Sequence, residues 1–183
     1  MRTALVLTLT AVPLSLLTGL TSAPAHAATG TEDVAFTVLT GTLSITPGAP
    51  AVGATASLSG GTTTATVGLG LTTVVDTRVA STGWAASANT TDFNMATGSG
   101  WMARTQSKFS VPNAPVSVIG TPAVTFSYLA NPTAVDSVGT VGGLVVATAV
   151  GVNTGTFSPV LTVVIPNGST PGAYLGVVTQ TVV

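Results

Sequence analysis

The chain contains no cysteine, and its single histidine, His26, lies close to the first residue. Disulfide bonds are therefore excluded, and so are zinc sites built from thiolates. His26 belongs to a segment that we expect to be removed, and without it neither Ser-His-Asp nor Cys-His catalysis has the residues it needs. We predict that the protein is not an enzyme.

Charged residues are also scarce, at 5% of the chain, with four Lys and Arg against five Asp and Glu. A nucleic-acid surface needs several cations to displace phosphate counterions, so the sequence predicts no nucleic-acid partner. Asp76, Asp92 and Asp136 have neither the spacing of a calcium loop nor that of a catalytic carboxylate pair. We therefore predict no metal and no cofactor.

Only one long apolar run is present, from about residue 4 to residue 20, after the positive charge of Arg2. Small residues follow at Ala25 and Ala27, which completes the order of a secretory signal peptide. A retained membrane anchor is the alternative, but Pro13 interrupts a run that is barely long enough to span a bilayer. We expect residues 1–27 to be cleaved, leaving 28–183 as a secreted chain without a transmembrane segment.

The remaining sequence is rich in Thr, Ala, Gly, Val and Ser, which is a β-strand composition. Short alternating runs are separated by Gly, Pro and Asn turn signals, a pattern typical of an antiparallel, Ig-like β-sandwich. A β-solenoid would require a fixed repeat period, and none is found. We predict one all-β domain over 28–183, with one long irregular connection at about 94–114 and a turn at 151–155.

Charged and aromatic residues gather between Val74 and Phe93. Asp76 and Arg78 are two apart on a predicted strand, so they share one face and can pair, either at the surface or buried. Trp84 either packs between two sheets or is an exposed platform for a sugar ring. The structural motif that we predict for this segment consists of Asp76, Arg78, Trp84, Asp92 and Phe93.

A second group of such residues lies in the stretch predicted to be irregular. It contains Trp101, Arg104, Lys108 and Phe109. We consider two interpretations, a solvent-facing recognition patch and an ordinary solvated loop.

Two blocks of sequence resemble the WxL-type domain of Gram-positive surface proteins, in a divergent, actinobacterial-like form. The first is VVDTRVASTGWAASANTTDF, which ends at Phe93, and the second is GTFSPVLTVVIPNGSTPGAYLGVVTQTVV, over 155–183. The resemblance implies a non-catalytic domain that binds peptidoglycan non-covalently, with Trp84 and Tyr174 at the family's Trp and Tyr positions. The chain departs from the motif after Trp84, where it has Ala-Ala, and at Gln180, where the family has a second Trp.

Two functions follow as expectations. The first is a secreted protein of the cell wall or cell surface that binds peptidoglycan or another wall polymer. Its candidate ligand-binding residues are Trp84, Trp101, Arg104 and Tyr174. The second is a structural or adhesive subunit that assembles with partner surface proteins by β-strand pairing, because the strand Tyr174 to Val183 carries no charge.

Overall fold

Within its described residues the chain forms strands and a single 3₁₀ turn. The structure is a computed structural model that describes residues 41–51, 56, 63–120, 124–148 and 151–183. The predicted signal peptide lies outside these ranges. In the described part of the chain no helix has the length and apolar character needed to span a bilayer.

The strands are short and follow one another closely along the chain, and the 3₁₀ turn is Arg104–Gln106. Their bounds are β1 Leu43–Thr46, β2 Thr63–Gly68, β3 Thr72–Asp76, β4 Trp84–Thr90, β5 Phe93–Met95, β6 Trp101–Met102, β7 Ser107–Ser110, β8 Val116–Gly120, β9 Thr125–Tyr128, β10 Thr133–Ala134, β11 Thr140–Thr148, β12 Asn153–Phe157, β13 Val160–Ile165, β14 Tyr174–Leu175 and β15 Val178–Val182.

The described strands form four antiparallel sheets. Sheet A has the order β1-β3-β12-β8, sheet B β10-β7-β13-β2, sheet C β15-β4-β11-β9 and sheet D β14-β5-β6. Many strands that pair within a sheet are far apart in sequence, so these pairings join distant segments of the chain. The all-β, antiparallel, sandwich-like class predicted from the turn spacing is confirmed.

One hydrophobic core receives side chains from all four sheets. Its members include Val74 of sheet A, Phe109 and Leu161 of sheet B, Leu144 of sheet C and Phe93 of sheet D. Alternation along the strands places them there, since in β3 and β4 every second residue is buried. The described residues all fall in the compact unit 38–183.

The stretch at 94–114 is more regular than its sequence indicates. It contains β6, the 3₁₀ turn and β7, and β7 pairs with both β10 and β13. Gly98 and Gly100 break the alternation between β5 and β6, and β6 is only two residues long. Strand signals this short cannot be read from periodicity.

The other difference concerns the predicted turn at 151–155. Residues Asn153–Phe157 form β12, an inner strand of sheet A that pairs with β3 and β8. Its inward positions include Asn153 and Gly155, which gave no apolar signal in the sequence. They are nevertheless buried, because Trp84 of sheet C occupies the space above them.

Candidate functional site

Asp76, the last residue of β3, lies at the centre of a buried polar cluster. Its side chain is 0% exposed, and Arg78 donates three hydrogen bonds to the carboxylate, from its backbone N at 3.0 Å, from Nε at 2.9 Å and from Nη2 at 2.9 Å. The Ser81 hydroxyl donates to the same carboxylate, and Arg78 Nη2 also donates to the Gly83 carbonyl at 3.0 Å. The turn between β3 and β4 is thus folded around this one carboxylate.

The ionisation of Asp76 follows from these bonds. Burial by itself raises its pKa, but the hydrogen bonds from Arg78 and Ser81 and the positive charge of Arg78 outweigh burial. The pKa therefore lies below the ordinary value of 3.8. A carboxylate held ionised with its oxygens already bonded is poorly placed to exchange protons with a substrate.

Trp84 begins β4 and extends the same cluster into sheet C. It is 3% exposed, and its Nε1–H donates to Asn153 Oδ1 at 2.8 Å. Asn153 lies directly opposite Asp76 in the pairing of β12 with β3. The indole also packs against Phe126, with ring centroids 6.0 Å apart. We call Asp76, Arg78, Ser81, Trp84 and Asn153 the Trp84 cluster, and it offers no aromatic surface to a ligand.

Arg104 is engaged with Asp92 in a more exposed pair. Its backbone N and its Nε donate to Asp92 Oδ1 at 2.9 and 3.0 Å, and its Nη1 donates to the Val138 carbonyl at 3.3 Å. The hydrogen bonds from Arg104 lower the pKa of Asp92. Arg104 thus fastens the 3₁₀ turn to the residue that precedes β5, and its charge is already paired.

Phe93 and Tyr174 lie on the inner face of sheet D. Phe93 is buried, and Tyr174 is half-buried with its hydroxyl donating to the Thr170 carbonyl at 2.8 Å. Both line an apolar groove of about 950 Å³ whose wall also includes Val67 and Leu161. No charged side chain is among its described lining residues.

Trp101 is on the opposite, outer face of sheet D and is 63% exposed. Its cross-strand neighbour on β5 is Asn94, and the neighbour of Asn94 on β14 is Leu175, which is 66% exposed. We call this row of three residues the Trp101 face. The sequence indicated Trp101 but neither Asn94 nor Leu175, whose alternation with Phe93 and Tyr174 was the available signal.

The predicted patch of Trp101, Arg104, Lys108 and Phe109 does not form one exposed surface. Phe109 is 0% exposed in the core, and Lys108 is half-buried on β7. Of these four residues, only Trp101 is exposed. Within the described residues, no group of three or more His, Cys, Asp or Glu side chains comes together as a metal site would require.

Comparison of the chain with protein-family models, with curated proteins and with solved structures gave no match. The resemblance to WxL-type domains therefore depends on the two sequence blocks alone. In the structure these blocks are adjacent, since β15 of the second block pairs with β4 of the first.

Proposed function

We propose that this protein is a secreted, non-catalytic surface protein that associates non-covalently with the bacterial cell wall, with peptidoglycan as its ligand. The observation that supports it best is the Trp101 face, which presents an indole to solvent beside an amide and an apolar side chain. Exposed aromatic rings are natural contacts for sugar rings because they combine a broad apolar surface with a polar edge.

A non-catalytic role agrees with the state of the polar side chains. Among the described residues, the ion-paired carboxylates are Asp76 and Asp92, and each is bonded to an arginine. The buried hydroxyl of Ser81 is used as a donor to Asp76. These groups hold turns in place and are not arranged around an open cavity in which a substrate would meet them.

The location follows from the sequence features rather than from the fold. The amino-terminal charge, apolar run and small-residue site have the order of a secretory signal. The WxL-type resemblance implies a place at the cell wall. Together they support export followed by retention at the surface.

The direct test is co-sedimentation with purified peptidoglycan. We expect the exported protein to pellet with the walls, and Trp101→Ala to reduce the pelleted fraction strongly. Val79→Ala is the matched control, because Val79 is also exposed and lies in the turn between β3 and β4, outside sheet D. Enrichment no greater than that of an unrelated β-sandwich protein would contradict the proposal.

A second candidate function is assembly with partner surface proteins by strand pairing. It is supported by β8, an edge strand of sheet A without charged residues, on which Val116 and Val118 are both exposed. Uncharged edges of this kind accept further strands. The terminal strand β15 is also at a sheet edge, and Thr72 donates a hydrogen bond to its Gln180 at 3.0 Å.

Sedimentation velocity tests this candidate. Assembly through β8 predicts a concentration-dependent increase in mass that Val118→Lys abolishes, because a charge on an edge strand opposes pairing. Thr179→Lys provides the corresponding test for β15. A monomer at all concentrations, with or without these substitutions, would count against self-assembly.

A further inference from the structure

The Trp101 face is one continuous row across three strands. Asn94 is paired in register with Trp101 on one side and with Leu175 on the other, so the three side chains point to the same face of sheet D. The opposite face of these strands carries Phe93 and Met102, which are buried in the core. The core side chains therefore fix the row in place from beneath.

The polar groups of this row are free. Among the described residues, no side-chain hydrogen bond involves the amide of Asn94 or the indole Nε1–H of Trp101. The amide provides two donors and one acceptor, and the indole provides one donor. The row thus offers an aromatic surface, an apolar surface and an amide between them, all directed to solvent.

The dimensions and charge of the row restrict its ligand. Neighbouring strands are about 4.8 Å apart, so the row is about 10 Å long, comparable with two linked pyranose rings. It contains no charged side chain, and the nearby Arg104 is paired with Asp92. A polyphosphate or a charged peptide would find no counter-charge here, whereas a neutral sugar needs only hydrogen bonds and an apolar contact.

We propose that the Trp101 face binds the glycan strand of peptidoglycan, with the apolar face of an N-acetylated amino sugar stacked on Trp101 and its polar substituents bonded to the Asn94 amide. This inference rests on the proposed association with the wall and names the part of the wall polymer that is recognised. Leu175 contacts the adjoining sugar. Trp84, which the resemblance had placed at the motif position, takes no part because it is buried.

The test uses the exported protein and a tetrasaccharide of N-acetylglucosamine as the probe. Binding is measured by calorimetry and by tryptophan emission. We expect saturable binding to the wild type, with a change in the emission of Trp101. Trp101→Ala should weaken binding by about tenfold or more, and Asn94→Ala by a smaller factor. Trp101→Tyr should retain part of the affinity, because a ring remains.

The controls separate loss of the site from loss of the fold. Val79→Ala should bind as the wild type does. Since Trp101 and Asn94 are exposed, their variants should show unchanged thermal unfolding. A stem peptide without sugar should not bind, and binding of that peptide in place of the tetrasaccharide would overturn the assignment to the glycan.

The outcomes also separate this inference from the proposed function. If walls sediment the protein equally well with and without Trp101 and the tetrasaccharide does not bind, the glycan site is refuted while wall association stands. If the tetrasaccharide binds through Trp101 but walls do not sediment the protein, the site stands and wall association is refuted. If neither binds, both are refuted.

Discussion

The two tryptophans of this chain occupy opposite environments. Trp84 is 3% exposed, with its Nε1–H bonded to Asn153 and its ring packed against Phe126. Trp101 is 63% exposed, and its Nε1–H has no partner in the described part of the chain. The same side chain is thus a core element in one place and an open surface in the other.

Strand alternation explains the difference. In β4 the inward positions are Trp84, Ala86, Ala88 and Thr90, and the ring of Trp84 lies over Gly155 of sheet A. In β6 the inward position is Met102, which turns Trp101 outward. Because side chains alternate with a period of two, a shift of one residue would exchange the two faces. The phase of a short strand therefore decides whether an aromatic side chain packs in the core or is exposed, where it can contact a ligand.

The largest effect is expected for Trp84→Ala. The substitution removes a buried ring and leaves the side-chain Oδ1 of Asn153 without its donor. The free energy of unfolding should therefore fall by about 3–5 kcal/mol. Urea denaturation measures this. Trp101→Ala is the comparison, and an equal loss for the two variants would contradict the assignment of Trp84 to the core.

The packing of Trp84 can be disturbed from the opposite sheet with Gly155→Ala. A Cβ at Gly155 would lie 2.7 Å from Trp84 Cζ2 and 3.1 Å from Phe126, so the rings must shift. We expect a loss of about 3 kcal/mol, at the upper end of ordinary overpacking. The matched control is Gly142→Ala in β11, where a Cβ meets nothing within 4 Å. Its stability should be close to that of the wild type, and equal effects would show that contact with Trp84 is not the cause.

Asp76→Asn tests the charge in the Trp84 cluster. Because the pKa of Asp76 is lowered in the fold, its contribution is complete above pH 3.8 and is lost as the pH falls through the lower folded pKa. At neutral pH the variant should lose about 1–3 kcal/mol. Its stability should also fall less on acidification below pH 3.8 than that of the wild type.

Asp92→Asn is the exposed counterpart of this variant. Its pair with Arg104 is accessible to solvent, so salt should screen it more effectively than the pair of Asp76 with Arg78. Denaturation at low and high ionic strength distinguishes the two pairs. The same salt dependence for both would argue that Asp76 is as exposed as Asp92.

The smallest effect on stability is expected at the Trp101 face. Trp101→Ala should change the free energy of unfolding by no more than about 0.5 kcal/mol, since the side chain packs little. The emission of Trp101, measured in a Trp84→Phe variant, should be red-shifted and strongly quenched by acrylamide. Trp84, measured in Trp101→Phe, should emit at shorter wavelength and resist quenching. A protected Trp101 would remove the basis for a ligand platform.

A strongly β-favouring composition made some strands predictable, and its absence hid others. The strand Val160–Ile165 has the predicted bounds in the structure, because it is a run of Val, Leu and Ile with one Thr between clear turn residues. The first half of the strand Asn153–Phe157 fell within the turn predicted at 151–155, because its inward residues there are Asn153 and Gly155. Those two residues suit their positions only beneath the ring of Trp84, a contact between residues far apart in sequence.

Some features of the candidate site were also indicated by the sequence, and others were not. The spacing of Asp76 and Arg78 predicted a pair on one strand. The structure contains the pair with the carboxylate fully buried, but β3 ends at Asp76 and Arg78 lies in the turn that follows. Nothing local indicated that Asn94 would lie between Trp101 and Leu175, since Leu175 reaches it from a distant strand. Arg104 was predicted as a ligand-binding residue. In the folded chain it begins the 3₁₀ turn and donates hydrogen bonds to Asp92.

By itself the sequence determined the β class, the scarcity of charge and the absence of thiol chemistry, because these depend on composition and on the two-residue period of strands. Only the tertiary structure decided which tryptophan is buried, which edge strands stay open and which residues flank Trp101. Those features depend on the register between strands distant in sequence. Register is set by how whole faces fit together, and no single segment contains that information.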